Sequence, residues 1–148
     1  MTTLILVLAT LSTGLAAGLF YTFQISVMRG LAASDDRTYV RAMQQINIKI
    51  LNGWFALSFV LALPLTIVAA IVVADNRLWI VAAAVLYFAV VVVTGSRNIP
   101  LNNALNAAGD ADPTATRRAF ETPWMRWNLV RTWLSVAAFA CLVVAATS

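Results

Sequence analysis

Histidine is absent from this 148-residue chain, and cysteine occurs once, as Cys141. Without histidine the usual zinc, copper, haem and non-haem iron ligand sets are missing, as is a histidine base for a serine or cysteine nucleophile. A lone cysteine among Ala, Leu and Val makes neither a disulfide nor a cysteine metal site within one chain. No metal site is therefore expected. Charge is also scarce, at 11% of residues, with six acids against ten bases. The acids are Asp35, Asp36, Asp75, Asp110, Asp112 and Glu121, all predicted in loops or caps. Acid–base chemistry thus has few carriers, and Glu121 alone stands where it could approach a site inside apolar segments.

What the chain has in abundance is hydrophobic sequence, 61% of residues. It falls into runs at about 4–27, 51–73, 78–94 and 128–146. A helix needs roughly 20 apolar residues to cross a hydrocarbon core, so each run reads as a span. The fold class expected is all-α: a four-transmembrane-helix bundle, one integral membrane domain over 1–148, with short interfacial helices in two large loops. The bilayer is the first partner implied. The net charge of +4 does not indicate nucleic acid, because the cations form a topology signal rather than a patch. Nine of the ten lie on the side of the two large loops, and Arg77 alone on the other. The positive-inside rule then puts both large loops in the cytoplasm and both termini outside, in a bacterial plasma membrane. The first run lacks a preceding Lys or Arg and continues through Phe20, Tyr21 and Phe23, which argues against a cleaved signal peptide.

Local signals add detail. Gly14-x-x-x-Gly18 allows close helix approach, within the chain or in a homo-oligomer. Ser34 before Asp35 and Asp36 reads as a helix cap, followed by an amphipathic stretch that runs into the second span. Pro64 bends that span. The third helix is predicted to continue past Thr94 toward Ala107 despite Pro100. Gly109 ends it, and Asp112–Pro113 starts a short helix. Thr122–Pro123 repeats that device to launch the fourth span, with Trp124 and Trp127 at the interface.

The polar exceptions within the runs gather toward one set of helix ends. Tyr21 and Gln24, Gln44 and Asn47, and Asn128 and Arg131 are pairs three residues apart. Thr94, Asn98 and Asn102 are four apart, so on a regular helix they share a face. Amides against lipid are costly, so these side chains turn inward, as interhelical glue or as a ligand site. Arg131 has three fates open to it: snorkelling to the surface, partnering with Asn side chains and carbonyls, or meeting an anionic ligand.

The same residues carry a family resemblance. The runs Gly18–Phe23, Ala42–Asn47, Thr94–Leu105 and Trp124–Thr132 occur in that order, with an Asn-x-Pro-Leu-Asn element at Asn98 and an Asn-x-x-Arg element at Asn128. The chain resembles the small four-helix membrane proteins, mostly of unknown function, that include fungal anthrone oxygenases. That resemblance implies oxidation of an anthrone to an anthraquinone by molecular oxygen, without a metal or flavin cofactor. Arg131, Asn128 and Asn98 are then the candidate catalytic groups, stabilising an oxyanion. Tyr21, Gln44, Asn47, Asn102, Trp124 and Trp127 are the candidate substrate-binding groups around a lipophilic small molecule. The second reading is a non-catalytic module that binds a lipid or amphiphile or supports a partner protein. A small transporter ranks third, because no Asp, Glu or His lies within the runs.

Overall fold

The computed structural model describes residues 2–148. Among these, the chain forms five helices and no strand: α1 (Thr2–Ala32), α2 (Asp36–Lys49), α3 (Gly53–Val72), α4 (Arg77–Ala108) and α5 (Pro113–Thr147). All but α2 are long and apolar enough to cross a membrane. They form a ring in which α1 and α4 each pack against both α3 and α5. Small residues set the close approach: Ala9, Ala16, Ala62, Ala69, Ala83 and Ala138 are fully buried where helices meet. Leu, Ile and Val elsewhere on the same helices stay exposed, as Leu15, Ile71, Leu78 and Val85 show. An apolar exterior of that kind is stable only in contact with lipid, which makes the chain an integral membrane protein. Gly14 lies against Phe139 so closely that an added Cβ comes within 2.8 Å of the ring, while Gly18 meets nothing. Of the pair, Gly14 alone is used inside the bundle.

Three segments wind as π-helix: Phe23–Val27 in α1, Ala56–Val60 in α3 and Thr94–Asn98 in α4. Two of them answer to proline. Pro64 and Pro100 have no N–H for the carbonyls of Val60 and Ser96, and their rings crowd those carbonyls. Both carbonyls fall within a widened turn, closed by Leu61 N–H to Ala56 O and by Ile99 N–H to Thr94 O. The extra residue keeps each helix continuous while shifting the phase of everything after it.

Helix α2 departs from expectation. It does not run into the second span: the backbone leaves the helix at Ile50–Asn52, and Asn52 Oδ1 accepts the Phe55 N–H at 3.1 Å to cap a new one. Its N-cap is Asp35 rather than Ser34, through the Thr38 N–H at 3.0 Å. Tyr39, Val40 and Met43 are buried together with Met28, Leu105, Phe120 and Trp124, a second core below the one within the ring. Thus α2 packs over one end of the bundle, on α4 and α5. In the second loop, the short helix expected at Asp112–Pro113 is not a separate element. Asp112 caps as expected, through the Ala115 N–H at 3.0 Å. From there α5 runs 35 residues without interruption, with Pro123 inside it.

Polar ties hold α2 in place. Arg41 binds Asp110 with a bidentate guanidinium, and this pairing holds the Asp110 carboxyl below its ordinary pKa. Arg117 on α5 donates from Nη1 to Asp36 Oδ1 and Ser34 O, each at 3.0 Å, and from Nη2 to Ala32 O at 3.0 Å. Its Nε reaches Glu121 Oε2 at 2.8 Å. Glu121 is therefore spent on Arg117 and does not reach the polar centre. Burial of the Tyr39 phenol beneath that guanidinium pushes its pKa above the ordinary value.

Candidate functional site

Between the two cores lies a cavity of about 230 Å³. Phe20, Phe23, Phe55, Phe59 and Trp124 supply aromatic wall; Arg131, Thr94, Asn47, Asn102, Asn103 and Asn106 supply polar atoms. Edge-to-face and stacked contacts link Phe20 to Phe59 and Phe59 to Phe55, at centroid separations of 5.8 and 5.0 Å. These rings brace one another, which keeps the cavity open instead of letting the bundle collapse.

Arg131 is the unusual group. It is 7% exposed, so it does not snorkel, and no carboxylate pairs with it among the described residues. Its guanidinium is held between the Phe20 ring, 4.3 Å from the centroid, and the Trp124 ring, 5.2 Å away. Nε donates to Asn128 Oδ1 at 3.1 Å. Asn128, itself fully buried, is fixed from behind: its Nδ2 donates to Phe20 O at 3.2 Å and to Gln24 Oε1 at 3.0 Å. With its amide nitrogen committed to two acceptors, its oxygen must face the arginine. The terminal nitrogens Nη1 and Nη2 have no hydrogen-bond partner among the described residues. A guanidinium with uncommitted N–H groups on a cavity wall is suited to an anionic oxygen.

The other expected site residues divide. Asn47 and Asn102 line the cavity; Asn47 Nδ2 lies 3.5 Å from Asn106 Oδ1, and Asn102 Oδ1 accepts the Trp124 indole N–H at 2.8 Å. Trp124 is thus buried within the site, not at an interface. Tyr21 is 47% exposed and does not line the cavity, because one residue turns a helix by roughly 100° and Phe20 and Phe23 hold the inward phase. Gln44 faces the end of α4, where its Nε2 donates to Leu105 O at 3.0 Å and Gly109 O at 3.1 Å, carbonyls a helix end leaves unpaired. Trp127 lies outside the cavity, under Arg97, whose Cζ is 4.8 Å from the ring centroid.

Asn98 is displaced by the π turn. The inserted residue brings Ile99 to the cavity wall, and Asn98 turns into the bundle, 0% exposed, with neither Oδ1 nor Nδ2 hydrogen-bonded. An unpaired buried amide costs more than an apolar group of similar size. Asn98→Leu is therefore expected to raise stability by about 1 kcal/mol, read as a higher thermal midpoint in detergent. A lower midpoint defeats this account of Asn98.

Sequence reasoning missed Phe20, Phe23, Phe55, Phe59 and Asn106 as site residues. The four-residue spacing of Phe55 and Phe59, and of Asn102 and Asn106, could have flagged them as shared faces. Over residues 41–141, the chain matches the family model described as anthrone oxygenase. No curated protein and no solved structure matches it.

Proposed function

The chain belongs to the anthrone oxygenase family, and from that membership we propose that it oxidises a lipophilic phenolic or anthrone-like substrate in the cavity at Arg131. The observation that carries this reading is the buried guanidinium with unengaged terminal nitrogens on an aromatic-lined wall. Such a wall receives a flat ring system, and the guanidinium receives its oxygen.

An anthrone has a ring carbonyl opposite a CH₂ group. Loss of a proton from that CH₂ makes an enolate, whose charge sits on the former carbonyl oxygen. Arg131, oriented by Asn128, stabilises that oxygen in surroundings of low dielectric. The electron-rich carbon then bonds to molecular oxygen, giving a hydroperoxide after proton uptake. Cleavage of the O–O bond with loss of the remaining hydrogen releases water and leaves the second carbonyl. One O₂ accounts for both oxygen atoms, and no other oxidant is consumed. The proton leaves to water at the cavity mouth, since no carboxylate is among the lining residues.

The asymmetric charge supports an orientation with that mouth toward the cytoplasmic leaflet. The same lack of a carboxylate favours a second reading, a module that binds an amphiphile without changing it. Purified protein in detergent, given an anthrone, decides between them. The enzyme consumes one O₂ per quinone formed, well above the rate of the anthrone alone. A rate equal to that background leaves only the binding module.

A further inference from the structure

The cavity has a second polar end. Arg131, Thr94 and Phe20 line its buried part, whereas Leu51, Asn103 and Asn106 are lining residues that are exposed. The latter mark the mouth, and Leu51 is 76% exposed there, at the break between α2 and α3. Asn102 Oδ1 is occupied by the Trp124 indole and Asn106 Oδ1 lies 3.5 Å from Asn47 Nδ2. The amide nitrogens of Asn102, Asn103 and Asn106 have no acceptor among the described residues. Trp124 stands between the two ends, its N–H on Asn102 and its ring beside the Arg131 guanidinium.

We propose that the cavity selects fused-ring ligands oxygenated at both ends, one oxygen on Arg131 and a second, neutral carbonyl or hydroxyl oxygen on the amides of Asn103 and Asn106. This rests on reading the cavity as a ligand site. A ring edge without oxygen gains no hydrogen bond from these donors and displaces water from them, whereas an oxygenated edge replaces that water with a bond. The amide end thereby sets which way round the ligand lies.

The test is calorimetric titration of detergent-purified protein under nitrogen with 1-naphthol and 1,5-dihydroxynaphthalene. The ratio of their Kd values is compared between proteins, so that differing uptake into detergent cancels. Wild type is expected to favour the diol over 1-naphthol by about five- to tenfold more than the Asn103→Leu, Asn106→Leu double variant does. Asn103→Leu alone, at an exposed position with no partner among the described residues, gives the same direction should the double variant not fold. An unchanged ratio overturns the proposal. If the ratio is unchanged while Arg131→Met abolishes binding of both probes, the amide end falls and the Arg131 site stands. If wild type binds neither probe, the cavity reading falls and takes this proposal with it.

Discussion

Arg131→Met is expected to lower the rate of anthrone oxidation by about 10²–10³-fold, the usual cost of removing one preorganised oxyanion donor. Methionine keeps an unbranched apolar chain to about the position of Nε, so the side-chain space is only partly vacated. Two opposed terms decide stability. Removing a guanidinium that is 7% exposed and unpaired with any carboxylate relieves desolvation. Asn128 Oδ1, however, loses its donor. These offset, and the variant is expected to unfold within about 1 kcal/mol of wild type. Activity and stability should therefore separate. Arg131→Lys retains a charge but not the planar fork, and is expected to recover only part of the rate. Oxygen uptake and thermal unfolding on the same preparations measure both quantities. Full turnover in Arg131→Met removes the guanidinium from the reaction.

Arg117→Ala is expected to lower stability by about 2–4 kcal/mol. One guanidinium joins Ala32 O at the end of α1, Ser34 O just after it, Asp36 at the start of α2, and Glu121 on its own helix. It also covers the Tyr39 ring, 4.6 Å from the centroid. Truncation strands Glu121 and two carbonyls and releases α2, whose Met43, Ile46 and Asn47 close the cavity. A single ammonium cannot meet four acceptors in different directions, so Arg117→Lys should recover less than half of the loss. Thermal unfolding in detergent reads the effect. A midpoint unchanged in Arg117→Ala means that α2 is held by its apolar face alone.

The contrast between these arginines shows how far residue type carries. By sequence Arg117 is one of two adjacent cations in a loop, whereas Arg131 stands alone in an apolar run with snorkelling, amide partners or an anionic ligand open to it. Burial between two rings came from α1 and α5 meeting where Phe20 and Trp124 share a level. Trp124 shows the same limit, being an interfacial anchor by sequence and a buried hydrogen-bond donor in the fold.

Apolar length, the cap at Asp112 and the stop at Gly109 depend on neighbouring residues only, and the sequence alone determined them. It likewise determined that amides and an arginine had to turn away from lipid, because hydrocarbon offers them nothing. Which of them meet was decided by tertiary structure. The π turn at Thr94–Asn98 exchanges Asn98 for Ile99 on the wall, and the packing of α2 across the bundle end brings Asn47 to Asn106. Pro100 prompts the widened turn locally, but which side chain then meets a wall, and what covers the cavity, are set by contacts between segments distant in the chain, which no local pattern encodes.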